Sequence, residues 1–545
     1  MILGAPLLAL ALQAQLPAPS RDSAARAWRE DLAVMARELP LRHRNLYHTL
    51  SRERFDSAVG DLHRKIPRLA RHQIVLELAR IVALVGDGHT NVAPTRDPEI
   101  GFRTYPVKLY FFRDGLFVRA ADLAHKGLAG ARVLRIGRAA PEEAYARVRE
   151  LIGRDNEMGA RYFAPFLLAM PEVLHGLGLI DDMERAPFLI ERNGRRQTVV
   201  LRPRGPASMM PPDTDVSWAP ERGWVDMRDA AAAPAPLWLR EDPTVRYRFE
   251  YLPDTRTVYL QYNMVGHRAD DSIPHFARRL QAFVDTAAVD RLVLDLRLNR
   301  GGDGTLNRPL LLSLIRARKL EGPGRLFVLI GRGTFSAAQF LVNDLERYTD
   351  ALFVGEPTGG KANSYGDSRK TLLPNSGITV RASIYWWQED PWDQRPWRAP
   401  DIAAELTSAD YRANVDPAMK AVLAYRPEPP IDERMRRAFA AGDSALAMRR
   451  YREYRADPRH AYADTEAALN TLGYELLGQE RYGPAVAVLA LNAAEHPDSW
   501  NVHDSLGEAY LKAGRTEAAV ASYERSVALN PGNVQGVETL KRLRE

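Results

Sequence analysis

The sequence predicts a mixed α/β protein: an α/β core with a mostly parallel sheet, an N-terminal helical segment, a small β-rich module and a C-terminal all-α repeat array. Three observations carry this. From 246 to about 425, short and almost wholly apolar strands alternate with helices, the pattern of βαβ units around a largely parallel sheet. Between 101 and 202, short β-rich runs flank turn signals. Beyond 432 the chain is helical and repeats itself every 34 residues. A length of 545 residues allows about three or four domains.

The elements follow in order. Residues 1–20 contain an apolar run of about 11 residues. A membrane-spanning helix takes about 20, so this run fits a secretory signal with a small residue at Ala14 for cleavage. The protein is then expected to be exported, periplasmic or extracellular; if the segment is instead a buried helix, it is cytoplasmic. Residues 22–100 form a helical domain, with apolar residues at helical spacing through Leu32, Met35 and Leu39 and again through Ile74, Leu78 and Ile81. In 101–202, the runs Tyr105–Phe112 and Gly115–Arg119 surround the turn signal Arg113-Asp114-Gly115. With the stretch Ala131–Gly137 and a helix near 141–152, this reads as a β-rich, PDZ-like module. Residues 203–243, rich in Pro, Ala and Asp, read as a linker. The core follows over 244–425. Its strands are placed at Val258–Tyr262, Arg291–Arg297, Arg325–Ile330 and Ala351–Gly355, and its helices at 272–288, 306–317 and 335–347. In 432–545, Leu472-Gly473 recurs as Leu506-Gly507, Ala485 as Ala519 and Pro497 as Pro531. This resembles the tetratricopeptide repeat, a stack of helix pairs suited to holding a peptide or a protein partner.

Composition narrows the function. The net charge is +6, from 75 Lys+Arg against 69 Asp+Glu. No basic run or aromatic-interleaved basic stripe is present, so nucleic acid is a poor partner. Cysteine is absent, which excludes disulfides, thiol nucleophiles and thiolate metal sites. No H-E-x-x-H or similar cluster appears, and no metal or organic cofactor is implied. No internal stretch approaches 18 uninterrupted apolar residues, so no integral membrane span is expected. Only nine of the basic residues are lysines, so a lysine at a chemically special place is informative, because lysine can lose its proton and arginine cannot.

Three segments carry chemistry. Leu84-Val-Gly-Asp-Gly-His-Thr-Asn91 ends a helix and presents His89 on a glycine-bracketed turn. An imidazole is the side chain best suited to accept a hydroxyl proton near neutral pH. Asp295-Leu-Arg-Leu-Asn-Arg-Gly-Gly302 follows a buried strand, and Gly301 and Gly302 can expose backbone N–H groups to an oxyanion. Gly331-Arg-Gly-Thr-Phe-Ser336 lies between a strand and a helix, with the Ser336 hydroxyl and the Ala337 N–H at the helix start. Each has a plainer reading, as a structural histidine, a tight turn and a helix cap. Downstream, Gly355-Glu-Pro-Thr-Gly-Gly-Lys361 would bring Lys361 over the same sheet edge. A desolvated lysine can serve as a base once its pKa falls.

Together these segments resemble the tail-specific (C-terminal processing) serine peptidase family and the related tricorn core peptidase. The resemblance covers about 246–425 well and 30–135 more loosely. It implies a peptidase core of crotonase-like ββα layers, acting on a peptide or unfolded protein substrate. It also implies that Ser336 is the acyl-forming nucleophile, with oxyanion donors near Gly302 and on Ala337. Processing peptidases place a lysine base 25 residues after the serine, where Lys361 stands. Tricorn-like members use a histidine from a segment such as this "GDGHT", which points to His89. His89 is preferred, because a neutral imidazole works without a large perturbation. The processing peptidases also carry an acid partway down the helix after the serine; that position is Arg347 here. The tricorn-like pattern implies an orienting acid shortly before Pro400-Asp401-Ile402, for which Glu389, Asp390 and Asp393 are candidates. Two rivals remain: a non-catalytic peptide- or ligand-binding scaffold whose repeats recruit a partner, and an esterase using the same serine. The tryptophan-rich run 386–397 reads either as an apolar subsite wall or as packing.

Overall fold

The computed structural model describes residues 21–95, 97–205, 218–219 and 221–545. The expected signal over 1–20 lies outside the described residues. The chain divides into two compact units. One comprises the described residues of Met1–Pro212 with Ala219–Ala230 and Gly359–Pro396; the other holds Ala231–Thr358 and Trp397–Glu545 together with Trp218.

In the first unit, the expected helical segment resolves into helices Arg21–Arg42, Arg52–Lys65 and Arg71–Ala83. Their apolar faces bury Leu32, Met35, Leu39, Ile74, Leu78 and Ile81, the residues whose spacing predicts them. An antiparallel sheet follows, ordered Val107–Phe112, Gly115–Asp122, Arg132–Ile136, Ala186–Arg192 and Arg195–Leu201. The expected linker 203–243 is not all loop. Its residues Trp224–Asp226 form a strand that pairs antiparallel with Gly115–Asp122. The Trp224 ring anchors it, lying beneath the Lys108 ammonium and the Arg204 guanidinium.

The expected core 244–425 is not continuous either. Residues 359–396 belong to the first unit, as a hairpin of strands Asn363–Leu372 and Thr379–Gln388. Buried polar side chains of the N-terminal segment hold it there. The Asp31 carboxylate, fully buried, accepts from the amides of Asn375 and Ser376 at 2.8 and 2.9 Å. Asp97 accepts from the Thr379 amide, and Thr90 exchanges hydrogen bonds with Ser383. Asn91 and Arg381 bridge backbone to backbone.

The second unit is built on a six-stranded sheet. Its order is Ile402–Ala403, Leu352–Gly355, Leu326–Ile330, Arg291–Asp295, Thr257–Tyr262, Tyr247–Leu252. All neighbours run parallel except the last pair. Val258, Leu260, Leu292, Leu294, Val328 and Ile330 point to one face, against helices Ile273–Thr286, Arg308–Arg316 and Ala337–Tyr348. Tyr259, Val293, Phe327, Leu329 and Val354 point to the other, against helix Pro417–Ala424. Burial on both faces is why these strands read as unbroken apolar runs.

One buried charge network braces the loop after Arg291–Asp295. Arg297 donates to Asp295 at 2.6 Å and to Asp416 at 2.8 Å, and its guanidinium lies over the Trp238 ring. The Tyr259 hydroxyl donates to Asp295 at 2.7 Å. Asp416 also caps helix Pro417–Ala424 through the Ala418 and Met419 amides. Removing the cation alone strands two buried carboxylates. Arg297→Met is therefore expected to cost about 3–5 kcal/mol, read as a lower denaturant midpoint at unchanged slope.

Residues 431–544 form seven α-helices from Ile431–Ala440 to Val534–Arg544, with one 3-10 turn at Pro458–His460. The 34-residue offset has a packing cause. A Cβ on Gly473 would lie 2.5 Å from the Leu489 side chain, and one on Gly507 would lie 2.9 Å from Tyr523. The glycine recurs 34 residues on, as does the position of its partner, Leu489 in one pair and Tyr523 in the next, so each helix pair closes at the same glycine. Among the described residues, no helix is long and apolar enough to cross a membrane.

Candidate active site

In the second unit, two adjacent parallel strands, Arg291–Asp295 and Leu326–Ile330, each end in a loop at the same sheet edge. This is where ligands of parallel sheets bind. The second loop is fastened to the first. The Thr334 hydroxyl donates to the Leu296 carbonyl at 2.9 Å, and the Phe335 amide donates to the Asn299 carbonyl at 3.2 Å. Ser336 then takes φ +56° and ψ −127°, a left-handed conformation that costs a residue with a Cβ about 1–3 kcal/mol. Helix Ala337–Tyr348 starts at once, with the Gln339 and Phe340 amides donating to the Ser336 carbonyl at 2.8 and 3.2 Å. The Ser336 side chain makes no capping hydrogen bond, so the plain helix-cap reading does not describe it.

Gly301 presses against this serine. A Cβ built there would stand 2.7 Å from the Ser336 Cβ and 2.9 Å from the Ala337 nitrogen, and Gly301 has φ +105°. Its backbone N–H donates to Asn299 Oδ1 at 2.9 Å. This corrects the assignment of Gly301 as an oxyanion donor: that N–H is already committed, and the glycine supplies closeness instead. Gly302, exposed and at φ +130°, bridges to Val265, and the Ala337 N–H opens the helix. Asn299, fully buried, organises the turn, since its Nδ2 also donates to the Tyr262 carbonyl at 2.8 Å.

In the first unit, the turn carrying His89 is built around Asp87. One carboxylate oxygen accepts the amides of His89 (3.0 Å) and Thr90 (2.7 Å) and the hydroxyl of Ser383 (2.7 Å). The other bonds His43 Nε2 at 2.9 Å. Burial pushes the Asp87 pKa up, but the hydrogen bonds from His43, Ser383 and Thr90 outweigh it and hold the carboxyl below its ordinary range. The stability this adds is present above the unfolded value, about 3.9, and is lost as the pH falls through the folded one. His43 Nδ1 accepts the Asn45 amide, so both imidazole nitrogens are committed. His48, its ring tilted against that of Tyr365 with centroids 4.3 Å apart, has its pKa lowered by burial first, then by His43 and Lys361, against Asp87.

Lys361 lines a cavity of about 300 Å³ with His48, Asp155, Tyr365, Trp386 and Asp393. The Asp393 carboxylate pairs with Arg395 at 2.7 Å. Glu389 follows the last residue of strand Thr379–Gln388 and is half-buried. The tryptophan run exposes Trp386, Trp387 and above all Trp392, at 91%. Sequence reasoning missed Asn299, His43 and Asp155. Asn299 lay inside a quoted motif; the other two carry no local signal.

No protein-family model and no curated protein sequence matches the chain. Among solved structures it is similar to mature CPAF, at 14% identity over 73% of this chain and 96% of that one, with a TM-score of 0.50. A point mutant of CPAF matches at 14% identity over 74% and 99%, with a TM-score of 0.51. The photosystem II D1 C-terminal processing protease matches at 14% identity over 73% and 99%, with a TM-score of 0.32. The chain thus shares the mixed α/β fold of CPAF.

Proposed function

We propose that this chain is a serine-type peptidase. The Ser336 hydroxyl attacks a peptide carbonyl, forming an ester and, as the C–N bond breaks, releasing the amine. The base that takes the hydroxyl proton returns it to that amine, and water then hydrolyses the ester. His89 is the preferred base and Lys361 the alternative, both from the first unit. The amides of Gly302 and Ala337 hold the oxyanion, and Glu389 and Asp390 are left as the candidate orienting acids, since Asp393 serves Arg395.

The observation that carries this reading is the strained backbone of Ser336, with a glycine pressed against it. A cap or a packing serine gains nothing from a left-handed backbone, whereas a nucleophile on a strand-to-helix turn does. The substrate class is a peptide or an unfolded protein. The C-terminal helix pairs resemble tetratricopeptide repeats and would recruit a protein partner. Export to the periplasm or outside the cell fits the leading apolar segment.

A fluorophosphonate probe tests the reading. Intact protein is expected to label at Ser336, and Ser336→Ala is expected to abolish labelling. Failure of folded wild-type protein to label would favour a non-catalytic binding scaffold. A peptide library run beside a panel of acyl esters distinguishes peptidase from esterase.

A further inference from the structure

We propose that Asp155 is a positioning residue for this hydrolysis: its buried carboxyl clamps the turn bearing His89 to the turn bearing Lys361. The catalytic consequence rests on the peptidase reading; the geometry does not. Asp155 precedes helix Glu157–Leu167 and is buried. Its Oδ1 accepts the amide of Gly88, the residue before His89, at 2.7 Å. The backbone of Lys361 also bonds this carboxyl.

Asn156 repeats the connection. Its Oδ1 caps the helix at the Gly159 amide, while its Nδ2 donates to the carbonyls of Gly360 (3.2 Å) and Pro396 (2.8 Å). Packing closes the join on both sides. A Cβ on Gly153 would lie 2.3 Å from the Thr90 carbonyl oxygen, and one on Gly159 would lie 3.3 Å from that of Gly359. A seven-residue segment, 153–159, therefore touches 87–90 along one side and 359–361 along the other.

A carboxylate suits this place because it only accepts, and amides from two segments point at it. Burial and the neighbouring Asp87 push its pKa up, while the Gly88 and Lys361 amides and the Lys361 ammonium pull it down, leaving it at about 7. His48, Asp393 and Arg395 line the same cavity. The sign has two parts. Because the folded value lies above the unfolded one, this group's contribution to stability falls as the pH rises from about 4 to about 7. Across the same range the carboxyl gains full acceptor capacity, so the clamp tightens. A purely structural carboxyl would move stability alone; a positioning one also moves the rate.

The test compares wild type, Asp155→Asn and Asp155→Ala by fluorophosphonate labelling from pH 5 to 9, with Ser336→Ala as blank. Hydrogen exchange over 86–91 and 359–363 is followed in parallel. Asp155→Ala is expected to slow labelling by about 10²-fold, the cost of an ångström-scale displacement, and to speed exchange in both segments together. Asp155→Asn keeps one acceptor of the same shape. Its amide nitrogen sets a donor against the second amide, so it is expected to recover only part of the rate, and to lose the limb near pH 7. Unchanged exchange in either segment, or an unchanged labelling rate in Asp155→Ala, overturns the proposal. If wild type does not label at all, the peptidase reading fails, and positioning for catalysis fails with it. Faster exchange in both segments would then leave only a structural clamp.

Discussion

Gly301→Ala is expected to lower the reactivity of Ser336 by about 10³-fold or more while leaving the fold standing. The new methyl would sit 2.7 Å from the Ser336 Cβ, 2.9 Å from the Ala337 nitrogen and 3.1 Å from the Phe335 carbonyl oxygen. None of these is the free end of a side chain, so no rotamer change relieves the clash. The Gly301 turn cannot retreat, because its N–H is held by Asn299 and its carbonyl accepts the Val265 amide at 2.8 Å. Ser336 must therefore move, from a conformation that is already strained. A displacement near 1 Å at the nucleophile costs about 10²-fold. Disturbing the Ala337 amide adds the loss of an oxyanion donor, about 10²–10³-fold on its own. The two overlap, so their product is an upper bound. Gly304→Ala is the control from the same loop. Its Cβ would meet the edge of the Phe340 ring at 3.2 Å and the Ala337 Cβ at an ordinary 3.6 Å, and labelling should stay within a few-fold of wild type. Near-normal labelling by folded Gly301→Ala would mean that the close approach of glycine to serine has no part in catalysis.

That glycine shows what a sequence reveals and what it hides. Gly301-Gly302 announces a turn at a sheet edge, and both residues do adopt positive φ. Which amide stays available depends on the Asn299 side chain, and no local pattern encodes its direction. The parallel core was readable for a simpler reason: strands buried on both faces must be apolar throughout, and Leu292–Leu294 and Leu326–Ile330 are. The repeats were readable because Gly473 and Gly507 answer the same packing demand twice. The hairpin 363–388 was misplaced because its ties are single polar side chains. Asp31 and Asp97 bond partners 282 to 345 residues away, and such pairs leave no periodicity. Asp155 fails in the same way. In the run Arg154-Asp-Asn-Glu, Asn156 caps the helix that follows. Only packing makes the preceding carboxyl a buried acceptor for two distant turns.

His89→Ala is expected to cost about 10³-fold or more in kcat, and Lys361→Ala distinctly less. The reasoning begins with how the two groups are held. His89 follows a carboxylate that takes its own backbone amide and the next one, and Asp87 is itself fixed by His43 and Ser383. The imidazole lies beside the hairpin, its Cε1 3.8 Å from where a Gly366 Cβ would stand. A base presented on so constrained a turn loses little entropy in reaching one geometry. Complete loss in Lys361→Ala with a near-active His89→Ala would move the role of base to the lysine. The Asp87 bracket would then be a support for the fold and not for the reaction.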